Sequence, residues 1–184
     1  MKATQQLKDD HESILIMISV LEKISYDLES GKTPDTEQCE KIIDFIKVFA
    51  DKSHHGKEEE YLFPAMENHG FSHDNGPIAV MLDEHEQGRS YIKNLNSSLI
   101  DFKNGNKDAV KGIISNSRGY AFLLRNHIEK ENNILFSMAD KVINENEQFL
   151  LYETFVKIEK ERIGSEKQEE FQKLLKTLQT IYLS

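Results

Sequence analysis

The feature that most constrains this chain is a helical segment that occurs twice. The stretch HHGKEEEYLF at 54–63 aligns with HIEKENNILF at 127–136, and His, Lys, Glu, Leu and Phe coincide between them. A second matching pair lies upstream, DDHE at 9–12 and DEHE at 83–86. The upstream histidines precede the downstream ones by 43 and 42 residues. The two halves of the chain are therefore predicted to be one helical hairpin written twice.

Apolar residues recur at three- and four-residue steps, the spacing of one face of an α-helix. Four long helices are predicted, over residues 7–28, 34–68, 77–102 and 107–143. Thr33 followed by Pro34 has the pattern of an N-cap and a first-turn proline, and Pro64 is expected to kink the second helix near its end.

Two shorter amphipathic helices are predicted after the repeat, over 147–163 and 166–182, with Ser165 and Gln168 at the spacing of a capping box. They contain no histidine. We interpret 145–184 as an accessory helical hairpin packed on a bundle formed by 1–144, with a homodimer contact as the alternative.

Composition limits the class of partner and the kind of metal ligand. The formal net charge of -9 argues against a nucleic-acid or anionic-membrane partner, since both select basic patches. The longest early apolar stretch, SILIMISVL, is too short to span a bilayer or to serve as an export signal, so a cytoplasmic location is expected. Cys39 is the single cysteine, so any bound metal must be held by nitrogen and oxygen.

Each half supplies a lone histidine on its first helix and a His-x-x-x-Glu pair on its second. Residues four apart share one helix face, and antiparallel packing of two hairpins would bring all these side chains to one depth in the core. The predicted metal ligands are His11, His54, Glu58, His85, His127 and Glu131. Four imidazoles and two carboxylates suit two ions bridged by the carboxylates, and this donor set favours iron, manganese or zinc.

Other interpretations of these residues are weaker. Glutamate is common in the chain, so one His-x-x-x-Glu pair could be a solvated helix-surface contact, and only the matched spacing makes the set specific. A metal-free histidine and glutamate core would carry a large desolvation penalty. The zinc-protease motif H-E-x-x-H is absent, because Leu15 and Arg89 stand where the second histidine must be. The Glu-x-x-His motif of ferritin-type bundles is reversed here, and no Walker or G-x-G-x-x-G loop occurs.

The segments HHGKEEEYLFP, GPIAVMLDEHEQGR and LLRNHIEKENNILF resemble the hemerythrin-like, or HHE cation-binding, family over about 5–143. This resemblance implies an all-α, up-down-up-down four-helix bundle with a non-haem centre of two iron ions, for which manganese or zinc could substitute. The family's ligands would carry over to the six residues named above.

Two residues depart from the oxygen-carrying hemerythrins. Arg89 stands where those proteins have a further histidine ligand, and Asn132 stands where they have an aspartate. Arginine does not bind metal, so the second ion is expected to have one nitrogen fewer, with Glu131 as the acidic bridge. The centre then resembles the four-histidine, two-glutamate members of the family, which include iron sensors and proteins linked to nitric-oxide stress and iron–sulfur repair.

The functional hypothesis is a protein that binds or senses dioxygen, nitric oxide or peroxide, or that handles iron. Two alternatives stay open: an enzyme that reduces nitric oxide or peroxide or takes part in iron–sulfur repair, and a structural bundle stabilised by zinc or iron. His55 is interpreted as a partner of a ligand or a surface residue in preference to an extra ligand. His69 and His73 are expected at the surface, and Tyr120 in the core.

Overall fold

The computed structural model describes residues 2–183, and this part of the chain is helical without a strand. The α-helices are α1 Ala3–Glu29, α2 Thr36–Phe45, α3 Phe63–Glu67, α4 Pro77–Lys103, α5 Val110–Lys130, α6 Phe136–Val142, α7 Glu145–Arg162 and α8 Ser165–Tyr182. Three π-helical segments are π1 Ile46–His55, π2 Glu58–Leu62 and π3 Glu131–Leu135, and a 3-10 turn covers Lys107–Ala109. The predicted all-α fold is confirmed.

The π segments lie inside long helices and do not interrupt them. α2, π1, π2 and α3 form one helix over 36–67, and α5, π3 and α6 form another over 110–142. With α1 and α4 they give the four long helices that the periodicity predicts. Pro64 is the second residue of α3, which follows π2.

Two predicted helix starts are wrong in detail. The N-cap of α2 is Asp35, whose side chain accepts a hydrogen bond from the Gln38 backbone N–H at 3.0 Å, so Thr33 does not cap this helix. α8 begins after Gly164, whose φ of 77° only glycine adopts readily, and its start has no side-chain cap. The capping box is found at the start of α7, between Asn144 and Glu147.

Contacts between the long helices show the relative direction in which these helices run. As residue numbers rise along α1 or α4, the numbers of their partners on the fourth long helix fall. The pairs are Thr4 with Asp140 and Glu29 with Arg118 for α1, and His85 with His127 and Tyr91 with Gly119 for α4. Both helices therefore pack antiparallel to the fourth, as in a helical bundle.

The apolar core is divided into two blocks by the predicted metal ligands. One block includes Leu7, Leu62 and Phe136, and the other includes Ile14 and Leu124. Because His11 lies between Leu7 and Ile14 on α1, the ligands form a polar layer inside the bundle. Burial of each such apolar side chain stabilises the fold by about 1.5–3 kcal/mol and keeps this layer dry.

The last two helices pack along the bundle. Phe155 of α7 joins the apolar block that contains Leu7, while Phe171 and Leu175 of α8 join the block that contains Ile14. Both helices contact α1. Within residues 2–183, every helix is too short or too polar to cross a membrane.

Candidate metal centre

The structure brings all the predicted metal ligands together inside the bundle. Each is at most 1% exposed, and the set comprises His11, His54, Glu58, His85, His127 and Glu131. They come from the four long helices, which place two histidines from the first hairpin beside two from the second.

The imidazoles point their Nε2 atoms at one another. His11 Nε2 lies 2.9 Å from His54 Nε2, and His85 Nε2 lies 3.2 Å from His127 Nε2. Each pair joins the two helices of one hairpin, so the two copies of the repeat form two similar half-sites.

The two carboxylates connect these half-sites. Glu58 lies 3.6 Å from His54 Nε2 through Oε1 and 3.5 Å from His85 Nε2 through Oε2. Glu131 Oε2 lies 3.2 Å from His11 Nε2 and 3.3 Å from His127 Nε2. All four carboxylate oxygens are buried, and none has a hydrogen-bond partner among residues 2–183. Each glutamate therefore faces one imidazole from each hairpin and is positioned to bridge.

The outward-facing Nδ1 atoms of the histidines all have oxygen acceptors. Nδ1 lies 2.8 Å from Asn132 Oδ1 in His11, 3.2 Å from Asp10 Oδ2 in His54, 2.6 Å from Glu59 Oε1 in His85 and 2.9 Å from Glu84 Oε2 in His127. An acceptor at Nδ1 keeps the proton on that nitrogen and fixes the ring, which leaves Nε2 free to bind a metal.

This arrangement of donors fits metal ions. When Nδ1 carries the proton, the Nε2 atoms of His11 and His54 present two lone pairs at 2.9 Å, and two lone pairs cannot form a hydrogen bond. Nitrogens bound to one ion at about 2.1 Å and at right angles lie about 3 Å apart. A cation between the rings would turn this repulsion into coordination and would satisfy the buried carboxylates.

Burial sets the protonation of the metal-free centre. It lowers the pKa of His54 and of His85 well below the ordinary value, and neighbouring imidazoles lower both further. Burial, together with the nearby Glu131 carboxylate, raises the pKa of Glu58 well above its ordinary value. Burial also disfavours the charged form of His127, yet Glu131 raises its pKa to about 9. Without metal, protons therefore occupy part of the site.

The π-helical segments coincide with the ligands. His54 and His55 close π1, Glu58 opens π2, and Glu131 opens π3. Such wide turns are rare and occur often at functional sites. The wider turn reduces the rotation between neighbouring residues, so both His54 and His55 face the centre.

The remaining histidines differ from one another. His55 is 3% exposed, so of the two expected roles the surface position is ruled out and that of a partner of a ligand remains. His69 Nε2 lies 3.2 Å from Glu147, and His73 Nδ1 lies 2.7 Å from Glu67, both outside the core. Tyr120 is buried, as expected.

Sequence reasoning missed the residues that orient the ligands. Asp10 and Glu84 each directly precede a first-helix histidine and accept from the second-helix histidine of the same hairpin. Lys57 and Lys130 bind those two acceptors. The sequence did carry a signal for these residues, because the lysine occurs at the same position in both copies of the repeat.

The fold and the donor set define a metal-binding helical bundle with nitrogen and oxygen ligands. The chain belongs to the hemerythrin HHE cation binding domain family, whose model matches residues 2–139. It is similar to the "Iron-sulfur cluster repair protein YtfE" of Edwardsiella ictaluri (strain 93-146), with 29% identity over 142 residues. This match covers 73% of the present chain and 60% of the relative, so the chain spans less than two thirds of that protein. No solved structure matches the chain significantly.

Proposed function

We propose that this protein holds a non-haem di-iron centre that binds a small molecule such as dioxygen, nitric oxide or peroxide. His11 and His54 would bind one ion, His85 and His127 the other, and the two glutamates would bridge them. One observation carries the proposal: four Nε2 atoms and four unpartnered carboxylate oxygens converge on a single buried space. The donors fall into two groups that share Glu58, which suits two ions better than one.

A pair of ferrous ions would supply two electrons and open coordination positions. The chain's own residues do the rest. Phe63 stacks on His85 with ring centroids 6.1 Å apart, and Phe136 stacks on His11 at 5.6 Å. These aromatic side chains exclude water from the centre, which strengthens its electrostatic interactions. The acceptors at Nδ1 hold the rings and their protons in place.

A second candidate function is iron–sulfur cluster repair. It is supported by the similarity to the protein from Edwardsiella ictaluri, which is named an iron–sulfur cluster repair protein. Part of that relative has no counterpart in the match, so repair by the present chain is a separate proposal. It predicts that the iron-loaded protein restores activity to a cluster enzyme damaged by nitric oxide.

Anaerobic loading with ferrous iron tests the main proposal. We expect two irons per chain and a nearly colourless ferrous form, with charge-transfer bands that appear when dioxygen or nitric oxide is added. Failure to bind iron, or preferential retention of stoichiometric zinc, would overturn it. The Glu60→Ala variant is a suitable control, because Glu60 pairs with Arg162 at the surface and touches no ligand.

A repair assay then separates the two candidates. Recovery of the damaged cluster enzyme with the iron-loaded protein, and no recovery with metal-free protein, would support repair. If the protein binds a small molecule but does not restore the cluster enzyme, only the first function is supported. A further assay for consumption of nitric oxide or peroxide with a reductant would identify an enzyme.

A further inference from the structure

His55 is a buried imidazole with one nitrogen unaccounted for. Its Nδ1 lies 3.3 Å from Asp51 Oδ1, while its Nε2 is buried and has no hydrogen-bond partner in the part of the chain that the structure describes. A buried polar atom without a partner destabilises the folded protein, so this nitrogen is expected to bind something. As at each predicted histidine ligand, Nδ1 lies beside an oxygen acceptor, which leaves Nε2 available to a metal.

His55 lies beside the second half-site, that of His85 and His127. One donor atom each from His55, Glu58, His85 and His127 lie within 4.8 Å of one another. The ring of His55 is stacked on that of His85, with centroids 3.8 Å apart and 13° between the planes. These distances place His55 beside the ion that His85 and His127 would hold.

The surroundings of His55 break the symmetry of the repeat. By the alignment of the two copies, the counterparts of His55, Asp51 and Arg89 are Ile128, Leu124 and Leu15. Both Ile128 and Leu124 are buried core residues. The polar group of His55, Asp51 and Arg89 is thus replaced by three apolar residues in the other copy of the repeat.

The Arg89 guanidinium binds two carboxylates, each of which accepts a hydrogen bond from an imidazole. Arg89 Nε lies 2.8 Å from Asp51 Oδ1, and its Nη2 lies 2.7 Å from Glu59 Oε1. Asp51 accepts from His55, and Glu59 accepts from His85 at 2.6 Å. Arg89 therefore positions the two stacked rings together, although it binds no metal itself.

We propose that His55 is an additional metal ligand, a fifth imidazole that binds the ion held by His85 and His127. That ion would have three imidazoles, and the ion at His11 and His54 would have two. The ion at His11 and His54 would then be held by fewer protein ligands than its neighbour. This inference rests on the proposed two-metal centre.

A cavity beside His55 provides a test of this ligation. The cavity has a volume of about 280 Å³ and is lined by Ile46, Gly88, Ile92 and Tyr120 as well as His55. Truncation of His55 to alanine would join the void it leaves to this cavity. Free imidazole could then enter and bind the metal in place of the missing side chain.

The experiment titrates cobalt(II) into the full chain and follows the visible bands. We expect two cobalt ions per wild-type chain, and in His55→Ala a loss of at least about tenfold in affinity for one ion only. Added imidazole should restore the bands of that ion. His69→Ala is the matched control, because His69 is a surface histidine, and it should behave as wild type.

The possible outcomes separate the two proposals. If His55→Ala binds both ions with wild-type affinity and bands, His55 is not a ligand, while the two-metal centre stands. If wild-type protein binds fewer than two ions, the centre itself is wrong. Should His55→Ala fail to fold, X-ray absorption on cobalt-loaded wild type decides: five imidazoles for two ions support the inference, and four overturn it.

Discussion

Lys57 donates a hydrogen bond to Glu159 at 3.1 Å and so connects the metal centre to the C-terminal hairpin. Lys57 is 1% exposed, and its Nζ also lies 2.8 Å from Asp10 Oδ2. Asp10 in turn accepts from His54 Nδ1 at 3.2 Å. A chain of charged contacts therefore leads from α7 through Lys57 to a predicted metal ligand. In the other half-site the equivalent Lys130 binds Glu84 and remains partly exposed.

Replacement of Lys57 by methionine is expected to destabilise the protein by about 3–5 kcal/mol, since it leaves Asp10 buried without its cation. Affinity for the ion at His54 should fall too, because Asp10 would no longer be held. Chemical denaturation and metal titration measure the two effects. Lys52→Met, at an exposed position on the same helix, is the control. Equal stability of the two variants would contradict the role given to Lys57.

Arg89→Lys keeps the positive charge and removes the planar fork that reaches two carboxylates. Because Asp51 and Glu59 orient His55 and His85, we expect metal affinity to fall by about 10–100-fold with little change in the helical content. Competition with a chelator measures the affinity. Glu86→Gln removes a partner of Arg89 that touches no histidine, and it should have little effect.

We expect both Glu58→Ala and Glu131→Ala to weaken the binding of both metal ions, because each carboxylate faces an imidazole from each hairpin. If the replaced glutamate bound one ion alone, the other ion would remain bound. Metal analysis after gel filtration gives the stoichiometry. Full two-metal loading in either variant would rule out a bridging role for that glutamate.

The repeat predicted the helices and the six side chains that converge in the core, because both depend on local spacing. A three- and four-residue period defines a helix face, and His54 and Glu58 fall on one face in any helix. The relation between halves was also predictable, since matched copies bury matched residues. Phe63 of one copy stacks on His85, and Phe136 of the other stacks on His11, each reaching across to the opposite hairpin.

His55 could not be placed from spacing, because an ideal α-helix turns it about 100° away from His54. The structure widens this turn into π1, and the sequence carries no simple signal for such a widening. The role of Glu159 could not be predicted either, since its contact with Lys57 depends on how α7 packs along the bundle. Both features follow from tertiary packing and not from the repeat.

Metal uptake is expected to depend on pH. In the metal-free chain, burial disfavours a charged His127, yet Glu131 raises its pKa to about 9. Below that pH the imidazole carries a proton that an incoming ion must displace, so affinity should rise with pH and level off above about 9. For each proton that the metal displaces, metal affinity rises about tenfold with each unit increase in pH. Metal titration in weak buffer with a pH indicator should detect this release, whereas a constant affinity between about pH 6 and 8 would contradict it. His73→Gln is the control, because the exposed His73 has a pKa raised by Glu67 and lies outside the core.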